Sequence, residues 1–196
     1  MTNPSSHAGH NEIAPVSYLP GVREAQEQRA ENVTLHAITR RGQSRAEVAD
    51  LLRRRDIDPH VAEAELQRLE SVGLIDDRAL ASELVDRLRS RKKLGPSALR
   101  NELARRKLDR DAIDEALSAV LATGEGASDD DLVVELARDR ARRLGGLDRP
   151  TAERRLIDYL ARKGHTGSGA REAARRALDE HSLGDHDGAV RRVEFR

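Results

Sequence analysis

Between Val85 and Arg110 the chain carries ten lysines or arginines, opposed only by Asp86, Glu102 and Asp109. The cations are Arg87, Arg89, Arg91, Lys92, Lys93, Arg100, Arg105, Arg106, Lys107 and Arg110. So strong a local excess suits electrostatic capture of a phosphate backbone or of an acidic protein groove. Smaller clusters recur at Arg53-Arg54-Arg55, Arg142-Arg143 and Arg162-Lys163. Most of these cations are arginines, which keep their charge everywhere and fork onto phosphate or carboxylate. The candidate binding residues are therefore Arg53, Arg54, Arg55, Arg87, Arg91, Lys92, Lys93, Arg100, Arg105, Arg106, Lys107, Arg162 and Lys163. A competing explanation is a solvated helix face whose cations complement helix dipoles at the C-terminal ends. The local imbalance of charge favours binding.

Other chemistries find little support. The glycine-rich stretch from Gly164 to Gly169 lacks the Lys-Ser/Thr ending of a phosphate-binding P-loop, and no strand pattern precedes it. It reads as a loop between helices. The seven histidines do not pair with one another or with carboxylates at ligand spacing, so no metal site and no cofactor are expected. The carboxylates sit at helix starts or opposite arginines. None lies isolated in an apolar stretch that would raise its pKa for acid–base work. Nucleophile elbows and triad signatures are absent, so an enzyme is not expected. With aromatics at 2% and no Trp, the stacking platforms of single-strand binders are excluded too.

The elements that must position these cations are helices. Ser44-Arg-Ala-Glu47 has the form of a capping box, followed by Val48, Leu51 and Leu52 on one face. Asp58-Pro59 opens a second helix, and Gly73 closes it. Asp76-Asp77 starts a third, with Leu80, Leu84, Val85 and Leu88 as its stripe, and Ser128 to Asp131 starts a counterpart with Leu132, Val133, Leu136 and Leu144. A repeat emerges when Leu52 to Leu66 is set beside Leu103 to Leu117. Each has a leucine, a basic run, an apolar residue five places on (Ile57, Leu108), another at ten (Ala62, Ile113) and a leucine at fourteen. A weaker copy begins at Leu160, keeps Arg162 and Lys163, and has His165 at the fifth place. The fold class is all-α, with tandem three-helix repeats forming an elongated, curved array. Stacking would align the basic clusters as a stripe.

The expected organisation is an arm at 1–22, disordered by its prolines, then repeats at about 35–93, 94–146 and 147–181 within an ordered region 23–181, and a flexible tail at 182–196. The last repeat reads as truncated after two helices. Hydrophobic residues at 37% and charged ones at 36% suit slender units better than one large core. The chain has no cysteine, no apolar run of the roughly 18 residues that span a bilayer, and no signal-peptide pattern. A cytoplasmic monomer without membrane contact is expected.

Three motifs resemble those of the bacterial RecX regulatory proteins. Gly73-Leu-Ile-Asp-Asp-Arg-Ala-Leu-Ala81 resembles that family's first signature. Gly95-Pro-Ser-Ala-Leu-Arg-Asn-Glu-Leu103 resembles its second, and Leu160-Ala-Arg-Lys-Gly164 its third-repeat motif. Leu80 and His165 stand where the family usually has aromatic residues. The resemblance spans residues from about 35 to 180. It implies tandem three-helix repeats and a non-enzymatic role in recombination, DNA repair and the SOS response. The implied partner is the RecA recombinase and its filaments on single-stranded DNA, with RecA ATPase and strand exchange damped. Weak direct contact with DNA is compatible with it.

Two other classes stay open. Each helix pair is similar to a helix-turn-helix, which would make the chain a DNA-binding regulator. The second helix, however, carries Glu63, Glu65 and Glu70, which a negative groove would repel. A protein–protein adaptor that works without DNA is the other.

Overall fold

A computed structural model describes the backbone over residues 21–123 and 129–190, and side chains over 21–120 and 130–181. Among the described residues there are nine helices and no strands: α1 (Val22–Arg40), α2 (Arg45–Arg54), α3 (Pro59–Ser71), α4 (Asp77–Lys92), α5 (Pro96–Arg105), α6 (Arg110–Thr123), α7 (Asp129–Ala141), α8 (Arg149–Arg162) and α9 (Gly167–Val190). They fall into two compact units, one ending at Ile75 and one beginning at Asp76.

The first unit holds α1 to α3. The capping box forms as its sequence requires: Glu47 N donates to Ser44 Oγ at 3.1 Å, and Ser44 N to Glu47 Oε2 at 3.1 Å. Asp58 caps α3 by accepting from His60 N at 2.9 Å, with Pro59 in the first turn. Gly73 closes α3 at φ +71°, a left-handed position that glycine takes without a Cβ penalty. The core comprises Ala30, Val48, Leu52, Ile57, Val61, Leu66, Leu69 and Ile75.

The second unit contains two separate cores. In one, Leu80, Ala81, Leu84 and Val85 of α4 pack with Leu99 and Leu103 of α5 and with Ile113 and Leu117 of α6. In the other, Val133, Leu136 and Ala137 of α7 pack with Leu156 and Leu160 of α8 and with Ala170, Ala174 and Leu178 of α9. Three pairs, Val48–Leu52, Leu99–Leu103 and Leu156–Leu160, are completely buried at equivalent places. Each pair sits one helical turn apart, which puts both side chains on one face.

The turn that follows repeats as well. Ile57 N, Leu108 N and His165 N reach back to the carbonyls of Leu52, Leu103 and Leu160 at 3.2, 3.4 and 3.0 Å. The residue just before each of these, Asp56, Lys107 or Gly164, is left-handed. Such a closure satisfies a carbonyl at the helix end and buries the next apolar side chain. His165 is as buried as the Ile57 and Leu108 it replaces, so the third copy is a full repeat.

The repeats begin one helix earlier than the sequence pattern suggests. Boundaries near 35–93, 94–146 and 147–181 attach α4 to the first repeat and leave the last with two helices. The cores instead group α4 with α5 and α6, and α7 with α8 and α9. An apolar stripe shows that a helix buries a face but not which neighbour covers it. The tail expected to fray from 182 is helical as far as Val190. The arm through residue 20, the cap at Ser128, and residues 191–196 lie outside the described residues.

Candidate macromolecule-binding surface

The C-terminal turns of α4 and α8 carry the cations that the structure brings together. α4 ends with Lys93 in a left-handed conformation (φ 52°), and Lys93 N closes the helix on Arg89 O at 2.9 Å. α8 ends at Arg162, with Lys163 as its cap. Lys163 Nζ donates to Lys92 O at 2.9 Å, and Gly95 N donates to Lys163 O at 2.8 Å. Arg91, Lys92, Lys93, Arg162 and Lys163 therefore belong to one junction, although some seventy residues separate them in sequence.

These five cations are not equally available. Lys93 Nζ pairs with Glu135 at 2.5 Å, and Lys163 Nζ is held by the Lys92 carbonyl. Arg91, Lys92 and Arg162 are exposed and form no ion pair among the described residues. They are the cations best placed to meet an outside anion.

Arg105, Arg106 and Lys107 lie elsewhere. Asp109 N donates to Asp77 Oδ2 at 3.2 Å, which fixes the α5–α6 turn beside the start of α4. The cluster at 91–93 occupies the opposite end of that helix, roughly 24 Å away at 1.5 Å per residue. The two clusters do not form one face, because α5 turns back along α4 after Gly95-Pro96. Arg105 is also paired with Glu102 at 3.0 Å. Arg100 pairs with Asp114 at 2.5 Å, and its hydrogen bond holds that carboxyl below the usual aspartate range. Arg87 pairs with Glu83 at 3.1 Å.

In the first unit Arg53, Arg54 and Arg55 end α2 and are exposed, with Arg53 turned onto Asp50. α1 and α3 present the opposite charge: a groove of about 380 Å³ is lined by Glu24, Glu27, Gln28, Glu31 and the Glu65–Arg68 pair. Such a groove repels phosphate. Among the described residues no group of His, Asp or Glu could hold a metal ion, and no helix is long and apolar enough to cross a membrane.

In sequence Gly95 opens one family-like motif and Gly164 closes another, with no sign that the two meet. The structure puts them in direct apposition: a Cβ on Gly95 would lie 2.7 Å from Gly164 O, and one on Gly164 would lie 2.4 Å from Ala98 N. Sequence contained one usable signal, a glycine at 164 where the other repeats have Asp56 and Lys107.

Residues 76–117 match the sequence profile described as RecX, second three-helix domain, whose span agrees with the α4–α6 core. The chain is 35% identical over 153 residues to "Regulatory protein RecX" of Streptomyces lividans, covering 78% of this chain and 79% of the relative. It is 34% identical over 167 residues to the protein of the same name from Thermobifida fusca, covering 84% and 88%. In fold it resembles a crystal structure of RecX from Lactobacillus salivarius, with a TM-score of 0.70, 20% identity, and coverage of 80% of this chain and 98% of that one.

Proposed function

The chain belongs to the RecX family, regulators rather than enzymes, and from that premise we propose that it binds RecA filaments on DNA and restrains RecA's ATPase and recombinase activities. The family resemblance supplies the partner. The observation that supports a binding surface on this chain is the junction of α4 and α8, where Arg91, Lys92 and Arg162 are exposed with no carboxylate paired to them among the described residues. A surface of that charge suits the phosphates of DNA held in a filament or acidic side chains along its groove.

The test is RecA's DNA-dependent ATPase rate across a titration of this protein. Inhibition well below one molecule per RecA is expected, because arresting filament growth at an end takes few molecules. An unchanged rate at a one-to-one ratio counts decisively against the proposal.

A sequence-specific DNA regulator is the rival reading. It places a second helix of a pair in the major groove. In α3 that helix carries Glu63 and Glu70 on its exposed surface, and in α6 it carries Asp111 and Glu115. Four carboxylates facing a polyanion disfavour it. Tight binding to one duplex sequence at near-physiological salt, without RecA, would restore it.

A further inference from the structure

The second and third repeats have separate cores, and the contact joining them is small and polar. It includes the α4–α5 turn laid against the α8–α9 turn and the Lys93–Glu135 ion pair between α4 and α7. Gly95 N donates to Lys163 O at 2.8 Å, and Ser97 N to Gly164 O at 3.4 Å. Lys163 Nζ donates to Lys92 O at 2.9 Å, and His165 Nε2 lies 3.1 Å from Lys93 O, to which it donates.

Comparison among the repeats shows what the two glycines are for. Gly95 has φ −82° and ψ 173°, an extended backbone that any residue adopts. Its counterpart in the first repeat is Ser44, which caps its helix with its side chain; Gly95 gives α5 no such cap. A serine would therefore serve α5 better, and only the neighbouring turn forbids a Cβ there. Gly164 is left-handed at φ +87°, but Asp56 and Lys107 hold the equivalent left-handed position with full side chains at 55° and 53°. At its wider φ a side chain on Gly164 would be strained, and it would also strike Ala98 of the other repeat, whose backbone nitrogen lies 2.4 Å from the Cβ position. Gly95 forgoes a cap useful to its own helix, and both glycines leave room for the same contact.

We infer that the Gly95–Gly164 contact is a dedicated joint that locks the second and third repeats together and thereby makes one cationic surface from Arg91 and Lys92 of one repeat and Arg162 of the other. Without it the two helix ends are independent patches on separately folded modules. Gly95, Gly164 and His165 are positioning residues: they contribute no charge to the surface and set where its charges stand. The partner such a composite surface fits is an extended polyanion that reaches both helix ends at once. This last consequence rests on the binding role proposed above.

The test uses Gly95→Ser, which installs the residue that the first repeat has at that place, and Gly164→Asn, the uncharged isostere of the Asp56 found at the equivalent place. The chain has no cysteine, so Ser118→Cys and Arg155→Cys, both exposed, give unique spin labels on α6 and α8. Pulsed electron spin resonance should read one narrow distance in the parent protein. In both variants it should read a distribution at least twice as broad, with helical content by circular dichroism unchanged. An unaltered distribution overturns the joint. So does loss of helix in both variants, because the glycines would then serve the turns of their own repeats. Affinity for RecA filaments on an oligodeoxythymidine strand is measured alongside and should fall about tenfold with every cation still present. A broadened distance with unaltered filament affinity keeps the joint and removes the binding surface, so the two failures are distinguishable.

Discussion

Thr34 Oγ1 donates a 2.7 Å hydrogen bond to Glu65 Oε1, tying α1 to α3 at the positions that Val85 and Ala116 occupy 51 residues further on. All four side chains are buried. The first repeat thus has a polar pair where the second has an apolar one. Arg68 completes it, with Nε 2.7 Å from Glu65 Oε2 and Nη2 2.9 Å from Oε1. Removing one partner of a buried polar pair costs more than replacing both by apolar groups of suitable shape. Thr34→Val and Glu65→Ala should each destabilise by roughly 1–3 kcal/mol. The double variant, which recreates the pair of the second repeat, should lose less than their sum by about 0.5–3 kcal/mol. Urea unfolding of the four proteins reads the coupling, and strict additivity would mean that the pair is not energetically linked.

The same pair gives the first repeat an acid sensitivity. Burial acts to raise the Glu65 carboxyl, but the hydrogen bonds from Arg68 and Thr34 outweigh it and hold the group below the ordinary glutamate value of 4.5. A carboxyl depressed in the folded state stabilises that state above its unfolded value, and the contribution is lost as pH falls through the folded value. Stability should therefore decline as the pH drops below about 4.5, and less steeply in Thr34→Val/Glu65→Ala than in the parent. Thermal midpoints of both proteins from pH 6 to pH 3 check this, and identical slopes would assign the acid loss to other groups.

Much of this fold can be read locally. Ser44 with Glu47, Asp58 with Pro59, and Asp76 each cap a helix where the sequence places one. The leucines at 52 and 103 mark the same turn in two repeats. What the sequence does not reveal is pairing at a distance. The stripe of α4 fits a neighbour on either side equally well, and only packing against Leu99 and Leu103 assigns it to the second repeat. His165 reads as a polar interruption until its ring is seen buried in the place of Ile57 and Leu108, with Nε2 donating to Lys93 O. For the binding surface, a count of charges found the cations but not their acids. Glu135, which neutralises Lys93, lies 42 residues away, and Asp77 anchors the turn that carries Arg106 and Lys107 to the far end of α4.

Leu52, Leu103 and Leu160 should be among the most costly positions to truncate. Each is completely inaccessible and sits at the end of the first helix of its pair. Leu→Ala at such a site loses buried area and leaves a cavity, with a cost of about 2–5 kcal/mol. Because each repeat has its own core, Leu52→Ala should loosen amide protection in α1 to α3 far more than in α7 to α9. Native-state hydrogen exchange measures that locality, and uniform loss of protection along the chain would argue for one cooperative core.

The two ends of α4 should differ in their importance for binding. Among the described residues no acid is paired with Arg91 or Lys92, whereas Arg105 at the opposite end is already paired with Glu102. Arg91→Glu/Lys92→Glu should weaken binding to RecA filaments on single-stranded DNA by more than tenfold, and Arg105→Glu only slightly. Neither change disturbs a core, so stability should shift by no more than about 0.5 kcal/mol per residue. If the surface meets phosphates, each lost contact should lower the log–log salt slope of binding by roughly 0.7 on single strands. If it meets acidic side chains of the filament, affinity for free DNA should stay the same while affinity for the filament falls. Since the clusters lie farther apart than the roughly 7–10 Å over which neighbouring substitutions couple, combining the two sets should give the sum of their separate effects. A folded Arg91→Glu/Lys92→Glu protein with unaltered affinity for both free DNA and the filament would reduce these residues to the solvated end of a helix.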